Sequence, residues 1–255
     1  MSEKIAIDNQ TLLNVIDESI KNKLSLSVIR KGDGENVIIG YKIIKGIKTI
    51  KYLRKLRHFN IRYYDIKFQK YFRKELIQSF RNADYLGIAI DYSYSSIRQF
   101  DSAITNYYEL DKKKLVDSHF HLEFVKNPAN NNLINPIAQK LISNKKIGII
   151  SHLNISKFLK YHNSEIVAQF SIPKRDAGIF NKMNMKKFKK IINSIKSVKE
   201  DIDIWFLAAG AYAKPLSNYI KQYNGIAIDI GSAIDTWAGE YHSRKYLREL
   251  ESKKH

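Results

Sequence analysis

The stretch LSLSVIRKGDGENVII, residues 24–39, sets an apolar run against Lys31-Gly32-Asp33-Gly34-Glu35 and then a second apolar run. It reads two ways. Asp-Gly between two β-rich runs is a strong local signal for a tight hairpin turn. Two carboxylates separated by one glycine, at the end of a buried strand, can equally hold a divalent cation against a diphosphate. In that reading Gly32 and Gly34 let the backbone approach the phosphate closely. Local sequence leaves both open.

Working outward, residues 8–21 read as a first helix and 24–29 as a strand. Residues 42–80 are rich in basic and aromatic side chains and read as helical with breaks. Then come an apolar strand at 85–91, a helix at 95–108, and partial strand-like alternation over 115–125. From there the alternation is regular: helix 132–144, strand 146–150, helix 155–162, strand 165–172, helix 185–198, strand 202–208, helix 213–222, strand 225–230. Short buried strands alternating with helices predict an α/β fold, a doubly wound, mainly parallel sheet with helices on both faces. Four prolines and 11 glycines leave no linker and no repeat is visible, so 1–255 reads as one domain with a basic helical insertion around 42–80.

In such sheets ligands sit beyond the carboxyl ends of the strands. That rule singles out segments 30–35, 91–94, 151–152, 173–176, 210–212 and 229–235. Gly210 begins a strand-to-helix turn whose free N–H groups suit an anion, with Lys214 adding charge; a structural turn with a solvated lysine is the plain alternative. Asp229 suits a ribose hydroxyl, a metal or a helix cap, and Ser232 a cap. Trp237 suits packing or stacking on a base or sugar. His119 and His121 would share one strand face, but no third ligand stands at zinc spacing, which favours a structural role.

Composition excludes several classes. With no cysteine there are no disulfides or thiolate metal sites. No run approaches the ~20 apolar residues of a membrane span. The N-terminal segment lacks the layout of a signal peptide, so the default compartment is the cytoplasm, with a peripheral place at the inner membrane face as a variant. The formal charge of +19 is scattered among abundant Lys, Ile, Asn and Tyr, as an AT-rich coding sequence would give. It shows no RNA-recognition or zinc-finger pattern, so nucleic acid is a poor partner. Dinucleotide-binding, P-loop and hydrolase-elbow motifs are missing as well.

Taken together, VIRKGDGEN (28–36), FSIPKRDAG (170–178), DIWFLAAGAYAKPLSNYI (203–220) and GIAIDIGSAIDTWAG (225–239) resemble the GT-D fold glycosyltransferases, in the same order and over roughly residues 20–245. The resemblance implies a Rossmann-like domain and a metal-dependent transferase using a nucleotide-diphosphate sugar, typically a UDP-sugar. It places Asp33 and Glu35 on Mn2+ or Mg2+ bridging the diphosphate and turns residues 36–44 into a helix. Chemistry agrees, because a departing nucleoside diphosphate needs a Lewis acid or a cationic clamp. Arg30 and Lys214 would add positive charge, with Gly32, Gly34, Gly210 and Asp229 lining the donor. Asp235 is the candidate base for the acceptor hydroxyl. Acceptors would be a glycan, a glycoprotein or a lipid-linked sugar. The competing readings are a non-enzymatic basic module for nucleic acid or an anionic membrane surface, and a metal-using phosphatase or nucleotidase.

Overall fold

Val28 and Ile29 are neighbours on the first strand, and both are fully buried, each in a different apolar cluster. Only a sheet covered on both faces buries successive residues in this way. The computed structural model has that form; it describes residues 7–88, 95–110, 115–127, 134–173, 182–198 and 201–252, with 95–99 as backbone alone. Its strands are β1 (Leu26–Arg30), β2 (Tyr85–Ile88), β3 (Leu115–Asp117), β4 (Lys146–Ile150), β5 (Glu165–Phe170), β6 (Ile204–Leu207) and β7 (Ile226–Asp229). They form one sheet in the order β3-β2-β1-β7-β6-β4-β5, and every pairing is parallel.

One face carries α1 (Asn9–Lys21), α6 (Pro136–Lys140), α7 (Ser156–Tyr161), α10 (Ala233–Trp237) and α11 (Lys245–Ser252). The other carries α2 (Asp33–Gly40), α3 (Thr49–His58), α4 (Ile66–Asn82), α5 (Ser95–Tyr107), α8 (Met185–Lys196) and α9 (Ala213–Gln222). Several helices start on side-chain caps that the sequence supplies. Asp8 accepts from the Thr11 amide at 2.8 Å, Asp65 from Phe68 at 3.1 Å and Asn184 from Lys187 at 3.0 Å.

The opening ambiguity resolves against the hairpin. Helix α2 begins at Asp33, directly after β1, and buries Val37, Ile38 and Ile39. Its start precedes the 36–44 span that the family resemblance implies. The basic region 42–80 is the crossover from β1 to β2, and its α4 belongs to the core. Phe68, Phe72 and Leu76 are fully buried, with the Phe72 ring 4.8 Å from Tyr212 and 6.0 Å from Phe188.

Three expected elements differ. The alternation over 115–125 holds only for β3; Asp117 then accepts from the His119 amide at 2.8 Å and starts a 3-10 helix, Ser118–Phe124. His119 and His121 therefore do not share a strand face. Of the expected 132–144 helix, 132–133 lie outside the described residues and the rest shortens to α6, opened by the Asn135 cap and Pro136 and followed by a turn ending at Asn144, whose φ is 57°. Strand β5 stops at Phe170, two residues before Ile172. Of the 85–91 strand, 89–91 lie outside the described residues.

Helix α2, after β1, goes to one face, and α10, after β7, goes to the other. Adjacent strands whose following segments diverge open a crevice at their carboxyl ends. In this chain that crevice lies between Arg30 and Asp229.

Strand β4 meets its neighbour closely. A Cβ on Gly148 would fall 2.3 Å from the buried Trp205 indole. Gly148→Ala is expected to destabilise the fold by about 1–3 kcal/mol, the cost of overpacking a filled core. Urea unfolding checks this, and an unchanged midpoint would contradict the packing described.

Candidate active site

Three strand-to-helix turns meet at the crevice. Strand β6 gives way to Gly210, held at φ +54°, and then to α9 with Lys214 in its first turn. Strand β7 ends at Asp229 and turns through Gly231 at φ +47°, where glycine is the natural residue. Strand β1 ends at Arg30 and passes into α2. Lys214 ties the three together. It is 4% exposed, and its Nζ lies 2.8 Å from Glu35 Oε1, 2.9 Å from Asp229 Oδ2 and 3.0 Å from the Gly210 carbonyl.

A buried ammonium alone would lose its proton easily, because burial disfavours the charged form. Here Asp229 and Glu35 outweigh that burial, and the Lys214 pKa is raised above its ordinary 10.5. Burial pushes Asp229 up, but Lys214 and Arg30 more than reverse it, leaving the carboxyl below its ordinary 3.8. Both ions stay charged between those limits. The Asp229 contribution to stability is complete above about pH 4 and is lost as pH falls below it; that of Lys214 is lost only as pH rises past 10.5.

Arg30 forms the floor of the crevice. Its Nη2 lies 3.6 Å from Asp229 Oδ1, and it crosses Gly231 so closely that a Cβ there would fall 1.8 Å from Nη2. Among the described residues its buried Nε has no hydrogen-bond partner, and Asp229 Oδ2 is held by the Lys214 ion pair alone. Buried donors of this kind are rarely left idle. Behind Arg30, His121 donates from Nδ1 to the Ser118 carbonyl at 3.1 Å; burial and the nearby guanidinium lower its pKa well below 6.5 and keep it neutral.

Above this floor lies a cleft of about 770 Å³, ample for a nucleotide-sized ligand. Its walls are Gly210 and Tyr212 from the β6 turn, His152 after β4, Asp235 of α10, and Arg244 and Tyr246 from the C-terminal segment. His58, Phe59 and Asn60, at the end of α3, close one side. The Tyr212 hydroxyl donates to the Phe59 carbonyl at 2.5 Å and pins that corner. Asp235 is half-buried, so burial raises its pKa, although a hydrogen bond from Ser243 and the nearby Arg244 and His152 pull the other way.

The expected residues converge in part. Arg30, Gly210 and Asp235 line the cleft, and Lys214, Glu35 and Asp229 form the ion cluster beneath it. Asp33 and Glu35 take different partners: Asp33, with an exposed side chain, bonds Lys55 Nζ at 2.6 Å, while Glu35 is buried against Lys214. Among the described residues no three His, Cys, Asp or Glu side chains form a metal cage. The donor set still suits a hard cation that takes most of its ligands from phosphate and water. Glu35 Oε2 hangs over Gly32, where a Cβ would approach within 2.8 Å, and Asp33 opens to solvent. Gly34 is covered by the Phe59 ring, which would stand 2.5 Å from a Cβ at that position.

Other expectations fall differently. Lys214 is not a solvated lysine. Asp229 caps no helix; its Oδ1 accepts from the Gly231 amide at 3.1 Å, and Ser232 bonds the Tyr246 hydroxyl instead. Trp237 is packing, stacked on Phe158 at 4.6 Å with its Nε1 donating to the Phe124 carbonyl. His119 pairs with Asp117 at 3.2 Å. Asp91, Tyr94 and residues 174–176 lie outside the described residues. Sequence reasoning missed the walls from His58–Asn60 and 240–246, which follow helices and not strands. It also missed the buried Lys31–Asp101 pair, 3.1 Å apart, because nothing local marks Asp101 as its partner.

Comparison with known proteins agrees with this fold. The family of GT-D fold-like domains matches residues 7–237. The chain belongs to the GT-D-like family. Two solved structures of domain of unknown function 1792 share its fold, each with a TM-score of 0.59. One, described as having a distinct glycosyltransferase fold, is 15% identical; the other, selenomethionine-substituted, is 16% identical. Each alignment covers 98% of this chain and 83% of the other. At that identity the likeness is one of fold. No curated protein matches the chain. This GT-D-like domain thus places its ion cluster at the crevice of a glycosyltransferase-type fold.

Lys214→Met would leave two buried carboxylates facing one another without their cation. We expect a loss of about 3–5 kcal/mol at neutral pH, as for other broken buried pairs. The loss should shrink at pH 5, because one carboxyl then takes up a proton on folding. Denaturant unfolding at pH 5 and pH 8 tests this; equal losses at both would disprove the clustered charge.

Proposed function

We propose that the protein is a metal-dependent glycosyltransferase that moves a sugar from a nucleotide-diphosphate sugar, a UDP-sugar, to a hydroxyl of a glycan, glycoprotein or lipid-linked acceptor. The observation that carries this reading is Arg30 at the floor of a large cleft, its buried Nε without a hydrogen-bond partner among the described residues. A diphosphate seated at that floor would meet a guanidinium, a group able to bind it in a bidentate manner.

In this reading Asp33 and Glu35 hold Mn2+ or Mg2+, which when bound supplies Lewis-acid stabilisation of the departing diphosphate. Gly32 leaves the backbone open beside the Glu35 carboxylate, whereas Gly34, covered by the Phe59 ring, serves the packing of α2 against the end of α3. Lys214 acts from beneath by fixing Glu35 and Asp229, and Asp229 in turn orients Arg30. Gly210 lines the donor pocket. Asp235, with its raised pKa, accepts the proton of the acceptor hydroxyl as that oxygen bonds the anomeric carbon and the bond to the diphosphate oxygen breaks.

A thermal-shift series of UDP, UDP-sugars and other nucleotide sugars, with and without Mn2+, tests the donor. A ligand at about a hundred times its Kd should raise Tm by about 5 °C or more. No shift with any nucleotide sugar and metal would sink the reading. Asp33→Asn, at an exposed side chain, should abolish the metal-dependent part of that shift with little change in the Tm of the free protein.

Asp235→Asn should lower kcat by about 10²–10⁴ while donor binding persists. In the parent enzyme the rate should fall as pH drops through the raised Asp235 pKa, and the variant should lose that acid limb. An Asp235→Asn enzyme with unchanged kcat would remove Asp235 from the mechanism.

A further inference from the structure

Between residues 42 and 80 the chain carries twelve lysines and arginines against two acids, Asp65 and Glu75. Neither acid faces outward in a way that offsets the rest, since Asp65 caps α4 and Glu75 is buried. Helix α3 turns Leu56 to the core and sets Ile50, Leu53, Arg54 and Arg57 on its solvent side. These positions recur at the i, i+3, i+4, i+7 spacing of one helix face. The loop that follows adds Tyr63 and Tyr64, and α4 begins with Ile66. Ile50, Tyr63, Tyr64 and Ile66 are each more than half exposed.

The basic surface continues across the neighbouring segment. Ile61 bridges to Met183, and the Lys182 ammonium bonds Asn60 at 3.2 Å. Beyond them α8 exposes Lys186, Lys189 and Lys190. A strip of large aliphatic and aromatic side chains inside a field of one sign has the composition of a surface that lies at a lipid interface. Aliphatic groups enter the headgroup–acyl boundary, tyrosines sit at its polar level, and cations meet anionic headgroups.

We infer that α3 and the start of α4 dock this protein on an anionic membrane surface. Charge complementarity and the outward Ile50 and Leu53 favour lipid over nucleic acid, whose interfaces are polar and offer aliphatic side chains little. The same corner ends at His58, Phe59 and Asn60, which wall the cleft and are pinned by Tyr212. Docking would therefore set the cleft mouth near the lipid. The docking itself stands without the transferase reading; only the corollary, that the acceptor is lipid-linked, rests on it.

The test is co-sedimentation of the full chain with vesicles of phosphatidylcholine alone and with about 30% phosphatidylserine, at low and physiological salt. Anionic vesicles should bind at least about tenfold better. Arg54→Glu with Arg57→Glu, and separately Ile50→Ser with Leu53→Ser, should each lower binding by about tenfold, with circular dichroism and nucleotide-sugar thermal shifts unchanged. No binding to anionic vesicles at low salt overturns the inference. So does wild-type binding by the Ile50, Leu53 variant together with full competition by polyuridylate, which would make the surface a general polyanion patch. Either result leaves the proposed donor chemistry standing, because that is read from the thermal shift.

Discussion

The ion cluster of Lys214 with Glu35 and Asp229 is the constraint on which the rest of the site depends. Its members come from three different strand-to-helix turns, so it fixes β1, β6 and β7 relative to one another at their carboxyl ends. Taking three charges out of water is expensive, and the attraction between them offsets that cost only when geometry is good and remaining lone pairs are met. Here the ammonium has three oxygen partners within 3.0 Å. Such a cluster does more for precision than for net stability. It holds Asp229 where Arg30 can lie across Gly231, and this sets the charge at the cleft floor.

A division of labour follows. Beneath the floor one ammonium meets two carboxylates, and the neutral His121 adds no charge. At the floor Arg30 keeps a donor unspent, and around the rim Asp235 is held at a raised pKa by partial burial. One group is thus disposed toward an anion and the other toward a proton, the pairing that the proposed transfer needs.

Much of this was legible in the sequence. The alternation of buried runs with helical spacing was enough for a parallel doubly wound sheet, and the strand-end rule picked out Arg30, Gly210, Asp229 and Asp235. The hairpin reading of Gly32–Glu35 failed for a reason that local pattern cannot carry: residues 37–39 are buried as a helix against a sheet whose other members lie far along the chain. The partners within the site were equally hidden. Nothing near Lys214 says that its ammonium faces Glu35, or that Asp33, two residues away from Glu35, turns to Lys55 of α3. Residues 118–124 show the same limit, since a strand-like alternation yielded to the Asp117 cap and to Phe120 and Phe124 packing one turn apart.

The strand order has a bearing on how the chain reaches this state. Strand β1 lies inside the sheet, paired on one side with β2 and on the other with the central β7, whose Ile226 stands opposite Leu26. Those partners are 200 residues apart. At synthesis rates of about 5–20 residues per second, the nascent β1 waits roughly 10–40 seconds with one hydrogen-bonding edge open. Contacts of such long range also slow folding after release. The edge that will border the crevice is therefore among the last to be closed, and until then it is open to pairing with a foreign strand.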